Sequence, residues 1–108
     1  MEKDSTIVYN KLVRDKIPQI IESDGKKHST RIAKQEELLE LLEAKLVEEA
    51  NEFHEAKNLE ELVDLLEVIF GLTVAIGFSE NDLMELRKIK KEKRGGFEKG
   101  IVLEKVFK

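Results

Sequence analysis

Apolar residues recur at helical spacing through the middle of the chain. From Gln35 to Lys57, the side chains of Leu38, Leu42, Leu46, Phe53 and Ala56 fall three, four or seven residues apart, and no Gly or Pro interrupts them. That pattern predicts one long amphipathic helix. Leu39, Leu41 and Val47 widen the stripe, so more than one face is expected to be covered. The pattern breaks at Lys57-Asn58-Leu59, where Asn58 followed by Glu61 has the spacing of a capping box. A second helix should run from there to about Ile76 and end at Gly77. It is apolar nearly all round, which implies burial between other helices or in a subunit interface. Ser79, with Glu80 and Asp82 behind it, opens a third long helix whose buried edge is Leu83, Leu86 and Ile89. Gly95-Gly96 stops that helix.

The flanks are shorter. Asp15 is placed to cap a short helix with Pro18 near its start, Ile17, Ile20 and Ile21 on one face, and Gly25 as its stop. Residues 26–34 have no period and read as a connector, and the alternating apolar residues after Phe97 suggest an extended tail. The expected fold is all-α: an antiparallel helical bundle centred on a helical hairpin, a single domain over residues 1–108, assembling as an oligomer.

Polar residues within the two central helices change that picture. Glu48, Glu49, Glu52 and Glu55 are echoed twelve residues later by Glu60, Glu61, Asp64 and Glu67. At 100° per residue, Glu48, Glu52 and Glu55 share about a 60° sector, with Glu49 at its edge. Glu60, Asp64 and Glu67 do the same on the second helix, with Glu61 at its edge. Folding the helices antiparallel about Asn58 sets Glu52 level with Asp64, and Glu49 level with Glu67. At a separation of roughly 8–10 Å, facing carboxylates converge on a shared cation. Gly71, in the sector of Asp64 and Glu67, leaves room for a ligand on this reading.

Charge and composition narrow the chemistry. The formal net charge of −4 hides an asymmetry. Residues 1–34 carry eight Lys/Arg against five Asp/Glu, residues 35–86 two against fifteen, and residues 87–108 nine against three. An acidic middle between basic ends suits a cation bridging to an anionic ligand gripped from both termini. Without cysteine, neither disulfides nor thiolate metal sites are available. Neither His28 nor His54 is well placed as a ligand, and an all-oxygen donor set favours magnesium, with manganese as the alternative. Such ions leave positions for water and phosphate oxygens, so hydrolysis of a phosphoanhydride is the natural chemistry, and a carboxylate not committed to the metal serves as general base. No apolar leader or membrane-length run is present in the sequence, and a cytoplasmic protein is expected.

The paired acids Glu48-Glu49-x-x-Glu52 and Glu61-x-x-Asp64 resemble the acidic motif of MazG-type, all-α nucleoside triphosphate pyrophosphohydrolases, a superfamily that includes phosphoribosyl-ATP pyrophosphohydrolase and dimeric dUTPases. Tyr9-Asn10-Lys11-Leu12-Val13-Arg14-Asp15-Lys16-Ile17-Pro18 and Lys93-Arg94-Gly95-Gly96-Phe97-Glu98-Lys99-Gly100-Ile101-Val102-Leu103 are similar to the ends of a small, single-domain MazG-like branch. The resemblance implies a homodimer or larger homo-oligomer, magnesium on Glu49, Glu52, Glu61 and Asp64, and cleavage of a nucleotide between the α and β phosphates to a monophosphate and pyrophosphate. Glu48, Glu49 and Glu52 are then the catalytic candidates. Helical geometry by itself favours Glu67 over Glu61, whose side chain the cap would consume. Lys11, Arg14, Lys93 and Arg94 would hold phosphates, Gly95 and Gly96 would allow close backbone approach, and Tyr9 or Phe97 would pack on the base. Only eight residues separate Glu52 from Glu61, fewer than is usual in that family. Phosphoribosyl-ATP is a rival substrate, and a non-catalytic helical interaction module is the rival class. Nucleic-acid binding through residues 87–108 is disfavoured by the acidic neighbourhood and sparse aromatics.

Overall fold

Local signals set the helix ends. In a computed structural model, which describes residues 6–108, four helices follow one another: α1 (Ile17–Ser23), α2 (Gln35–Ala56), α3 (Leu59–Ala75) and α4 (Glu80–Arg94). No strand occurs among the described residues, so the chain is all-α there. The first five residues, part of the stretch in which no leader is read, lie outside the described residues.

α1 begins one residue later than expected. Asp15 does not cap it; Lys16 occupies the N-cap and no side chain bonds to the free amides. The turn is opened instead by the Arg14 carbonyl, which accepts from the Ile17 amide at 3.0 Å. Pro18, in the first turn, has no amide to be satisfied. Gly25, at φ 78°, closes the helix as expected.

Between α2 and α3 the chain turns on two residues. Lys57 takes the left-handed conformation (φ 51°) and donates its amide to the Phe53 carbonyl at 2.7 Å. Asn58 is extended and caps α3, its Oδ1 accepting from the Glu61 amide at 3.1 Å. α3 closes in a Schellman arrangement: the Phe78 amide donates to the Thr73 carbonyl and the Gly77 amide to the Val74 carbonyl, each at 3.0 Å. The chain then bends by 109° into α4. There Ser79 and Asp82 form a reciprocal capping box, and the helix ends in Lys91, Lys93 and Arg94, cations suited to its negative pole.

α2 packs on α3, and α4 touches α3. Leu42 of α2 is the one buried apolar side chain among the described residues, and Thr73 of α3 is buried with its hydroxyl donated back to the Ile69 carbonyl at 2.8 Å. Gly71 lets α2 come close, since a Cβ there would stand 3.1 Å from Leu42 Cδ2. Its missing side chain therefore accommodates Leu42, not a ligand as the sequence suggests. No single described helix is long and apolar enough to cross a membrane.

The chain by itself buries little. Its surface is 10489 Å² and its radius of gyration 19.2 Å. A compact chain of this size would show roughly 6,200 Å² and roughly 13 Å. Leu62, Val63 and Leu66 on α3, Leu86 and Ile89 on α4, and Phe97, Ile101 and Phe107 in the irregular tail are all exposed.

Candidate functional site

Packing of α2 on α3 brings acids together near the turn. Glu49 lies seven residues beyond Leu42, two helical turns along the same buried stripe, and only 7% of it is exposed. Opposite, Glu61 and Asp64 are one turn apart on α3. Glu49, Glu61 and Asp64 each offer a carboxylate oxygen within 4.8 Å of the others. Glu52 is exposed, and its carboxylate neighbours those of both Glu49 and Glu61.

The cluster is electrostatically unfavourable as it stands. Burial pushes the Glu49 carboxyl above its ordinary value, and the adjacent Glu52 and then Asp64 push it further; Lys45 pulls the other way. Glu61 is raised by burial first, and then by Glu52, Asp64 and Glu60. Glu49 Oε2 and Glu61 Oε2 are buried without a hydrogen-bond partner. A buried oxygen left unpaired costs about 1–3 kcal/mol, so such groups need an explanation.

Cations stand around the rim. Lys11 Nζ donates to Glu48 Oε1 at 3.0 Å, and Arg14 Nη2 donates to Asp64 Oδ1 at 2.8 Å. Lys45 Nζ lies 3.6 Å from Glu49 Oε1 and 3.8 Å from Glu48 Oε2. The hydrogen bond from Lys11 holds the Glu48 carboxyl below its ordinary range, and Glu48 in turn raises Lys11.

The register differs from the one that folding about Asn58 gives. The pairs Leu42–Gly71 and Glu49–Asp64 are both centred between residues 56 and 57. Asp64 therefore meets Glu49, where an axis at Asn58 sets it against Glu52, and Glu61 joins the cluster instead of Glu67. The left-handed Lys57 and the fit of Leu42 over Gly71 fix this register, and neither follows from helical spacing. Glu61 does not spend its carboxylate on the cap either, because only its amide bonds to Asn58. Glu67 is exposed and outside the group. Glu48, with two lysines on it, lies beside the group and not within it.

Among the cations expected on the substrate, Lys11 and Arg14 do reach the acids. Lys93, Arg94, Gly95, Gly96 and Phe97 do not. They form or follow the last turn of α4, which packs on α3 but not on α2, and no described ion pair joins them to the cluster. Phe97 is 99% exposed. His28 pairs with Glu22 at 2.9 Å, away from the acids. Lys45 was the residue that pattern reading passed over; its spacing of three and four residues before Glu48 and Glu49 was the available signal.

The donor set suits a hard divalent cation. It is all oxygen, it draws on two helices, and two of its oxygens are buried and unpaired. No family model, curated protein or solved structure matches the chain.

Proposed function

We propose that the chain is a magnesium-dependent nucleotide pyrophosphohydrolase of the MazG-like, all-α type, with manganese as an alternative ion. The observation that carries this reading is the convergence of Glu49, Glu61 and Asp64, with Glu52 beside them and two oxygens orphaned. Together these four residues are the ones the sequence resemblance implies as ligands. When bound, the cation supplies charge to polarise a phosphoryl oxygen and lowers the cost of gathering the acids. Glu49, Glu61 and Asp64 hold it. Glu52, exposed at the cluster's edge, accepts the proton of the attacking water on its carboxylate. Glu48, pulled down by its pairing with Lys11, is a weaker base. Lys11 and Arg14 grip phosphate oxygens, Arg14 with a planar fork suited to them.

The remaining cations are delivered by a second copy in this reading. The bundle is completed as an antiparallel helical assembly around the α2–α3 hairpin. The excess of about 4,000 Å² per chain, roughly 8,000 Å² over two copies, is more than the roughly 2,000–5,000 Å² that obligate homodimer interfaces commonly bury in total, so an extensive contact between copies has surface to draw on. Basic termini facing an acidic middle make such an assembly complementary in charge. It would bring Lys93, Arg94 and the Gly95-Gly96 turn of one copy to the acids of the other, with Phe97 or Tyr9 against the base.

The test is a panel of nucleoside triphosphates and phosphoribosyl-ATP, incubated with magnesium and scored for pyrophosphate and monophosphate. Release from one substrate class supports the enzyme and chooses its substrate. No release from any, together with no magnesium-induced rise in melting temperature, supports a non-catalytic interaction module. Sedimentation at micromolar concentration tests the assembly, and a monomer there would remove the second copy from the site.

A further inference from the structure

The segment ahead of α1 crosses the carboxylate cluster from one helix to the other. Asn10, at φ 47°, turns the chain so that Asn10, Lys11 and Leu12 share a cleft with Leu41, Ala44, Lys45 and Glu48 of α2. Three residues on, Arg14 reaches α3 and donates to Asp64 at 2.8 Å. The segment has no regular structure, and both its ion pairs are exposed at the surface. Leu12 is its half-buried anchor, with Val13 and Tyr9 largely exposed. Weakly held, locally bonded segments of this kind open at little cost.

We propose that residues 9–16 form a cationic strap that competes with the divalent cation, Arg14 leaving Asp64 as the cation enters and turning to the substrate's phosphates. The inference rests on the cation site proposed above. Asp64 Oδ1 cannot present the same lone pair to a guanidinium and to a metal ion, and a cation among the acids repels Arg14 and Lys11 alike. In the metal-free chain these two positive charges partly offset the repulsion of the acids. Loading the site frees them together, on the side where an anionic substrate would approach. The strap thereby links cation loading to phosphate binding, so that the phosphate-gripping cations become available only over a filled site.

Tyr9 is the single tyrosine, and the chain has no tryptophan, so its fluorescence reports on the strap. The experiment titrates magnesium chloride or manganese chloride alone into the full chain. Calorimetry gives cation affinity, and tyrosine anisotropy gives strap motion. Tyr9 anisotropy is expected to fall with the same midpoint as the heat of binding. Arg14→Gln should bind the cation tighter by about 1.5- to fivefold, the range for an exposed ion pair, while binding nucleotide more weakly. Arg31→Gln, which removes an equal charge from the remote Arg31–Glu37 pair, is the control and should leave cation affinity unchanged. A flat Tyr9 signal at saturating cation, or Arg14→Gln binding no tighter than Arg31→Gln, overturns the strap and leaves the cation site standing. If neither the parent chain nor Arg14→Gln binds either ion, the cation site fails and the strap with it.

Discussion

Two helices in this chain open with the same sequence device and use it differently. Ser79-x-x-Asp82 opens α4, and Asn58-x-x-Glu61 opens α3. At α4 the box closes both ways: the Asp82 amide donates to Ser79 Oγ at 3.1 Å, and the Ser79 amide to Asp82 Oδ2 at 2.9 Å. The Ser79 amide first, and then its hydroxyl, hold the Asp82 carboxyl below its ordinary value. At α3 half of the box forms, with the Glu61 amide on Asn58 and the Glu61 carboxylate turned toward Glu49 and Asp64. There it is raised by burial and by like charge, and one oxygen has no partner. An acid at the third helical position normally stabilises its own helix. Glu61 forgoes that and enters a cluster whose burial and like charge oppose folding. Sites that keep such costs are candidates for function, because stability alone gives no reason to retain them.

The contrast predicts opposite consequences for the two acids. Glu61→Gln and Asp64→Asn should lower magnesium-dependent pyrophosphate release by on the order of a hundredfold or more. They should also remove the magnesium-induced rise in melting temperature. Asp82→Asn should leave kcat and that rise unchanged while lowering the melting temperature itself. Equal activity losses in Glu61→Gln and Asp82→Asn would mean that both act through helix stability, and the distinction would collapse.

Glu61 faces the cluster because of the α2–α3 register, and that register can be broken. Leu42→Ala should cost about 2–3 kcal/mol, as for a buried leucine in a small core. Gly71→Ala brings two opposing effects: about 1 kcal/mol of better helix propensity, and a Cβ 3.1 Å from Leu42 Cδ2. In the parent chain they should nearly cancel. With Leu42→Ala already in place the contact is gone, and Gly71→Ala should stabilise by about 1 kcal/mol. A denaturant double-mutant cycle measures the coupling. Additive effects would show that Leu42 does not set the close approach.

The legible part of this structure is the local part. Ser79, Asn58, Gly25, Gly77 and Gly95 each act within a few residues of themselves, so three long helices and their ends could be read from spacing. The register could not. It depends on the left-handed backbone at Lys57 and on Leu42 meeting Gly71 across 29 positions of sequence. A shift of the turn axis from Asn58 to between 56 and 57 moves every facing pair, which is why spacing selects Glu67 where the fold selects Glu61. The resemblance implies Glu61 as a ligand, and the fold brings Glu61 beside Glu49 and Asp64. The placement of Lys93 through Phe97 is a different matter, for within one chain no packing brings them to the acids.

A smaller effect tests whether the cluster opposes folding. Glu49 is the most buried of the acids, and its charge is offset in part by Lys45 at 3.6 Å. Glu49→Gln keeps the shape, removes a like charge and supplies donors to its neighbours. In the presence of a chelator it should raise stability by about 1 kcal/mol. In magnesium it should be the less stable protein, because the parent gains from cation binding and the variant does not. Destabilisation in both conditions would mean that the Glu49–Lys45 pair matters more than the crowding of the acids.

The pH dependence separates the two devices most finely. Asp82 is held below its ordinary 3.8, so the fold favours its ionised form; its contribution is present above 3.8 and is lost as pH falls through its folded value. Glu49 and Glu61 are held above their ordinary 4.5, so the fold favours their neutral forms; their contribution is complete below 4.5 and is lost as pH rises through their folded values. In chelator, the melting temperature should therefore rise as pH falls from neutrality toward 4.5, and fall again below 3.8. Glu61→Gln should make only the upper limb shallower, Glu49 still contributing there, and Asp82→Asn only the lower limb, where Glu48 and Glu37 are also held below their ordinary value. Magnesium should invert the upper limb, because the cation binds the ionised acids and protons displace it. An upper limb that magnesium leaves untouched would separate the raised carboxyls from any cation site, while the reciprocal cap at α4 would behave as before.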